Sequence, residues 1–414
     1  MTSAEPLHRW LAQRRLTAAT FPYMAVVDAY QRHGKHFVPD EWTRLLAAAR
    51  DRLTEGGGAQ GRRLNAFLAI VLDKADGRYD YRTYLALNLL SLPDIGDAPA
   101  PAARLLAHRD RLHVHLLTDL IRFELTPAND TAPLPQMRPE PARAAKRIRH
   151  ALRAAMPALH RLSLIAPTAS GGPEAMAQQA VAAVEGDTTA EERLALRVTM
   201  LPVSTIHDEW MFIRVLQTFE VTFALLAVDL RAVVAAVRAG HLHLAATRMS
   251  AAAALLRDSA PLWSVTATLQ PEAFHRFRPY TEGASAIQSR HYKLVESLCR
   301  TPDASRRDSP AYLSTPDVRA LILRGQASVD DALDALTPAN AAGHAQPALA
   351  TAMAEFTAAL RRWRRTHYRL ALRMLGTDQT GTGYTHGISY LARAYAEPVF
   401  RCRSHSSQPA RDDT

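Results

Sequence analysis

The chain reads as an all-α protein on three observations. Apolar residues recur at helical spacing in almost every periodic segment, Ala, Leu and Arg dominate those segments, and alternating β-branched runs are rare. With 414 residues, 48% of them hydrophobic, it is long enough for two domains or for one large domain with additions. The first amphipathic segment is expected at 21–33. A second helix starts at Pro39 and Asp40, where a proline at the entry and acidic residues in the first turn favour initiation, and it runs to about residue 53. Gly56, Gly57 and Gly58 break it. Helices are predicted over 62–76, 81–92 and 102–124, with the proline-rich stretch PDIGDAPAPA between the last two. A linker dense in Pro, Asn and Asp covers 125–141, a helix follows over 144–164, and a loop at 166–173 leads into the C-terminal block. The chain thus divides into an N-terminal helical region (1–125), a linker with connecting helices (126–200), a C-terminal domain (201–403) and a disordered tail (404–414).

Composition narrows the partners. The formal charge is +10, but the arginines are spread over solvated helix faces without a compact basic and aromatic cluster, so nucleic acid is not an expected partner. The apolar run at 219–236 is interrupted by Glu220, Asp229 and Arg231 before it reaches spanning length, and the N-terminus lacks the apolar core of a secretory signal, so no membrane is expected. Two cysteines, Cys299 and Cys402, fit a reducing cytoplasm better than a disulfide framework. His108 and His115 share a helix face with Asp119 beside them, and His113 lies close by. That is a geometrically possible metal site, but no second ligand pair stands at a recognised spacing, and a polar helix face or interface is the preferred reading.

The stretch from 363 to 394, WRRTHYRLALRMLGTDQTGTGYTHGISYLARA, organises the rest. At 100° per residue Leu360, Trp363, His367, Leu370, Ala371 and Met374 share one apolar stripe, and Arg362, Arg365, Arg369 and Arg373 lie opposite. A histidine therefore points inward. A helix of this kind ending at Gly376 and followed by Gly381, Thr382 and Gly383 resembles the tail of the tryptophan 2,3-dioxygenase superfamily. There the histidine of a WR-x-x-H element is the proximal haem ligand and a GTGG loop touches the substrate. The resemblance implies that His367 ligates iron in haem b, with Trp363, Gly381 and Gly383 at the cofactor.

Two further elements carry the likeness. Residues 201–226, LPVSTIHDEWMFIRVLQTFEVTFALL, resemble IHDE-x-x-FI-x-x-HQ-x-x-EL, with His207, Asp208, Glu209, Phe212, Ile213, Gln217 and Glu220 on matching positions. Phe212, Leu216, Phe219 and Phe223 share one face, which periodicity alone would read as a core stripe. The resemblance assigns part of it to a distal wall, with Phe212 on the aromatic substrate and Leu216 where tryptophan dioxygenases place a histidine. Leucine accepts no proton, so base-assisted chemistry there is excluded. Oxygen insertion is not, because the related indoleamine dioxygenases also lack that histidine. Residues 269–296 resemble TP-x-x-F-x-x-FR-x-Y-x-x-x-ASGFQS-x-QYR-x-x-E, with Phe277, Arg278, Tyr280, Ala284, Ser285, Gln288, Ser289, Tyr292 and Glu296 in register.

In this register Lys293 replaces the family arginine that holds the substrate carboxylate. Ser289, Thr382 and Tyr384 complete the expected substrate contacts, and Tyr384 and His386 stand where Gly and Ser are usual. The resemblance spans about 201–403, with 309–336 placed like the helical insertion before the family's proximal histidine. In the dioxygenases a short N-terminal segment reaches into the neighbouring subunit's site; here a much longer region precedes the core. The expected activity is haem-dependent oxygen insertion into the indole C2–C3 bond of tryptophan or a derivative, with dioxygen or peroxide as oxidant and a homo-oligomer by analogy. A haem-dependent hydroxylase of tyrosine or a substituted tryptophan is the alternative, and a non-catalytic haem-binding or helical interaction protein the third.

Overall fold

The computed structural model describes all residues except 1–2, 54–57, 94–100, 128–131, 167–170, 337–344, 376–386 and 402–414. The described residues are helical, with no β-strand among them and one isolated bridge between Gln136 and Ile206. No helix among them is long and apolar enough to cross a membrane.

The first four helices, α1 (Glu5–Leu11), α2 (Tyr23–His33), α3 (Asp40–Arg52) and α4 (Gly58–Val71), bury their apolar stripes against one another. They form a hydrophobic cluster of their own, with Trp10, Phe21, Tyr30, Trp42 and Phe67 inside it. Asp40 and Glu41 sit in the first turn of α3, where the helix dipole favours them. This N-terminal body meets the rest of the chain at Gly34, whose φ of 78° only glycine adopts without strain. A Cβ there would stand 2.7 Å from Ser204 Cα, so the close approach also needs its absence. Across it Lys35 N–H donates to the Pro202 carbonyl at 2.8 Å and His36 N–H to that of Val203 at 3.2 Å.

The segment expected as one helix over 81–92 is instead α5 (Tyr81–Tyr84) followed by a short 3-10 turn, Leu87–Leu89. Ala86 takes a left-handed φ of 49°, and the Leu85 carbonyl accepts from the Gln217 side chain at 2.9 Å. A tertiary hydrogen bond takes the place of the next helical one. The helices α6 (Ala102–Leu125), α7 (Pro141–Arg161), α8 (Pro173–Asp187) and α9 (Ala190–Val198) come next. Most buried residues from Tyr81 onward, including those of α6, share the large core of the C-terminal half, while Ala86, Val198 and Leu201 pack into the N-terminal cluster.

At the centre runs α10 (Asp208–Arg238), a 31-residue helix buried nearly all round. A helix that is apolar on every side is stable only when others surround it, and α6, α11 (Leu242–Asp258) and α14 (Arg290–Cys299) do so. Between α11 and α14 lie α12 (Pro261–Thr266) and α13 (Pro271–Phe277). The insertion over 309–336 belongs to a set of short helices, α15 (Ala304–Arg307), α16 (Pro310–Leu313), α17 (Pro316–Leu323) and α18 (Val329–Asp334), three of them capped by Asp303, Ser309 and Ser328. Then α19 (Ala345–Leu375) packs along α11, and α20 (Gly387–Ala396) packs on α19.

Polar groups on α10 are satisfied one by one. Arg147 of α7 reaches Glu124 at 2.6 Å, Asp208 at 2.8 Å and the Thr268 hydroxyl at 3.0 Å, all of them buried. Removing one partner from such a group leaves buried carboxylates uncompensated. Arg147→Met is therefore expected to destabilise the fold by about 3–5 kcal/mol, read as a lower urea midpoint at unchanged slope. The histidines weighed above as a metal site go elsewhere: His113 Nε2 bonds the Ala154 carbonyl at 3.0 Å, His115 faces Thr188 at 3.3 Å, His108 faces the Ser91 carbonyl, and Asp119 pairs with Arg214 at 2.7 Å.

Candidate active site

A cavity of about 230 Å³ lies between α10, α12, α14 and α19. One wall is the stripe of α19, where Trp363, His367, Leu370, Ala371 and Met374 face inward. Arg362, Arg365, Arg369 and Arg373 are exposed on the other side, as 3.6-residue periodicity requires. The opposite wall is α10, and all four of Phe212, Leu216, Phe219 and Phe223 line it. Phe219 and Phe223 are buried among neighbours, whereas Phe212 and Leu216 are half-buried because their outer faces meet the open space.

The His367 imidazole is enclosed, with an edge on the cavity. Trp263 stacks beside it at 5.1 Å between ring centroids and 23° between planes, and Trp363 meets it nearly edge-on at 5.4 Å. It has no hydrogen-bond partner among the described residues, and burial pushes its pKa down from 6.5 to about 4. A neutral ring nitrogen facing apolar space is a competent metal ligand. A depressed folded-state pKa stabilises the fold above the unfolded value and withdraws that contribution as the pH falls through the folded one. The chain without cofactor is therefore expected to lose stability from pH 6.5 down through about 4. The loss is shallower in His367→Phe, which urea unfolding at stepped pH would show.

Polar groups reach the lining from several elements. Arg278 enters from the 3-10 turn Arg278–Thr281, with Ser285 and Ser289 on the following segment and Tyr81 and Tyr84 from α5. Burial pulls the Arg278 guanidinium below the usual arginine range. Glu220 accepts from the Tyr81 hydroxyl at 3.2 Å and from Ser289, and contacts His291 Nδ1 at 2.8 Å. Its carboxylate joins α5, α10 and α14 at the cavity edge. Behind Trp363, Arg364 donates to the Tyr292 hydroxyl at 2.9 Å and to Glu296 at 3.0 Å.

The expected site residues separate on this geometry. Phe212, Leu216, Ser289, Trp363 and His367 come together around one cavity. Thr382, Tyr384, Gly381 and Gly383 lie outside the described residues. Lys293 does not join them: it is buried off the cavity lining, its ammonium 2.8 Å from Glu296 and over the Tyr292 and Tyr312 rings. Burial alone would raise the Glu296 carboxyl, but Lys293, Arg306 and Arg364 around it hold it down at about 2. Two cations line the cavity among the described residues: Arg364, which donates to Tyr292 and Glu296, and Arg278, which precedes Lys293 in the same matched element. Its register was visible in the sequence; its direction was not, because a 3-10 turn beside Pro279 has no periodicity to read. Tyr81, Tyr84 and Trp263 were also missed, and their only signal was an aromatic in a short segment. Asp208 and Glu209 of the IHDE element are structural: Asp208 takes Arg147 and the Gln270 N–H, and Glu209 takes the N–H groups of Val203 and Ser204.

Fold and site together define an all-helical protein that presents a neutral imidazole to an aromatic-walled cavity. Residues 188–310 match the family model for tryptophan 2,3-dioxygenase, a span that holds the α10 wall and Arg278 but ends before His367. Among similar proteins is a tryptophan 2,3-dioxygenase of Polaromonas naphthalenivorans, 26% identical over 228 residues, covering 46% of this chain and 80% of that one. Those of Pseudomonas fluorescens (28% over 233 residues, 48% and 82% covered) and Paraburkholderia phytofirmans (29% over 228 residues, 46% and 74% covered) are alike. Over the matched part the chain is similar to tryptophan 2,3-dioxygenases, and it is longer than the relatives it matches.

Proposed function

We propose that this chain is a haem-dependent oxygenase of an aromatic L-amino acid, tryptophan or a tryptophan derivative, placing both atoms of dioxygen across the indole C2–C3 bond. The observation that carries the reading is His367 standing across one cavity from the Phe212 and Leu216 wall. The residues present fit a haem: a neutral imidazole without a partner among the described residues, flat aromatic neighbours in Trp263 and Trp363, and aliphatic lining from Leu370, Ala371 and Met374. His367 would hold the haem, which would supply the activation of dioxygen.

Every other task falls to the chain. Phe212 packs on the substrate ring, and with Leu216 it keeps water out. Leu216 can take no proton from an indole N–H, so no base acts at that position. Arg278 pairs with the substrate carboxylate, since a planar guanidinium gives two parallel hydrogen bonds where an ammonium gives a point charge. Thr382 and Tyr384 are assigned to the amino acid end on the resemblance of their loop. The gain is positional: a ring fixed at one end by its carboxylate and on one face by Phe212 reacts as if intramolecular.

The test is turnover of L-tryptophan by the reduced, haem-loaded protein under labelled dioxygen. Two labelled atoms in a formylkynurenine-type product are expected. One labelled atom would instead make the chain a hydroxylase, the reading that Leu216 in the distal wall also allows. A haem spectrum that neither tryptophan nor tyrosine perturbs, with no product, would leave a non-catalytic haem protein.

A further inference from the structure

We infer that residues 3–78 act as a built-in cap that positions the polar rim of the cavity, so that the site is finished by the chain's own N-terminal body. This rests on the cavity being the binding site proposed above. One set of that body's contacts falls on segments that line the cavity; others, such as Gln31 with the Met200 carbonyl and Arg63 with Glu191, fasten it elsewhere. Lys74 Nζ donates to the Tyr280 carbonyl at 2.9 Å, pairs with Glu282 at 2.9 Å and stands 4.1 Å from the Tyr79 ring centroid. His36 Nδ1 lies 3.0 Å from the same Glu282, and the His36 and Phe37 rings each pack on Tyr280 at 4.8 Å. Tyr280 and Glu282 flank Thr281 on the turn that carries Arg278, and both Arg278 and Thr281 line the cavity.

The second hold is covalent. From Lys74 the chain runs through Tyr79 into α5, where Tyr81 and Tyr84 line the cavity. The Tyr81 N–H donates to Gln288 at 3.1 Å, and its hydroxyl to Glu220 at 3.2 Å. Lys74 thus ties the tyrosine segment to the arginine turn, two pieces of rim more than 190 residues apart in sequence. The cap is fastened to the rest of the chain through the Gly34 approach to Ser204, and a buried ion pair between Lys35 and Asp73 at 2.7 Å ties its own parts together. Lys74 is a positioning residue: it acts on the site through Tyr280 and Tyr79 and does not line the cavity.

Hydrogen–deuterium exchange on the full chain, alongside L-tryptophan titration, tests this. In Lys74→Met, amide exchange over 79–85 and 278–284 is expected to rise about tenfold while α11 and α19 are unchanged. The dissociation constant for L-tryptophan is expected to rise about tenfold with the melting temperature nearly unaltered, and Lys74→Arg is expected to restore both. Glu282→Gln, at an exposed position where folding is not at risk, is expected to move the same readouts less. Unchanged exchange at both rim segments in Lys74→Met overturns the inference, as does raised exchange with tryptophan affinity intact. Should wild type bind no tryptophan, the proposed function fails, and exchange at the rim alone still decides the cap.

Discussion

Replacing His367 by alanine is expected to remove the Soret band from purified protein while far-UV circular dichroism stays that of the wild type. Among the described residues lining the cavity His367 holds the only imidazole, so no neighbouring nitrogen of that type can take over. The proposed haem would be held by His367, and the rest of the lining is largely apolar, so loss of the imidazole would leave the group mostly contact. The fold should survive: His367 makes no hydrogen bond among the described residues, and its ring already borders open space. The space vacated lies between Trp263 and Trp363, which admits free imidazole, and added imidazole is expected to restore part of the band. A full Soret band in His367→Ala without added imidazole would end the assignment of position 367.

Arg278→Met should weaken binding of the aromatic amino acid by about 2–3 kcal/mol, roughly 30- to 150-fold in the dissociation constant. The lost contact is a charge-assisted pair from a half-buried guanidinium at the cavity lining. Arg278→Lys keeps the charge but loses the fork and should fall between, near tenfold. The control is Lys293→Met. Its ammonium is spent on Glu296, so affinity should hold while stability drops by about 1–3 kcal/mol, the cost of loosening a buried carboxylate that keeps Arg306 and Arg364. Tryptophan binding lost in Lys293→Met and kept in Arg278→Met would return the carboxylate role to Lys293.

Much of the site was legible because two helices carry it. The spacing of Phe212, Leu216, Phe219 and Phe223, and that of Trp363, His367, Leu370 and Met374, each select one face, and both faces line the cavity. What failed to show were residues on short elements. Arg278 sits in a 3-10 turn, and Tyr81 and Tyr84 lie on a segment whose expected helix is cut short when the Leu85 carbonyl accepts from Gln217. Lys293 misled for the opposite reason: register placed it correctly on α14 but could not reveal Glu296 one turn on as its partner.

By itself the order of residues determined the all-helical class and the face each long helix would bury, because a 3.6-residue repeat is a local property that needs no knowledge of neighbours. Which faces meet, which cations reach the cavity and where the N-terminal helices pack were decided only by tertiary packing. Those outcomes depend on groups far apart in sequence, such as Lys74 with Tyr280 and Arg147 with Asp208, whose burial each makes the other's charge or dipole tolerable.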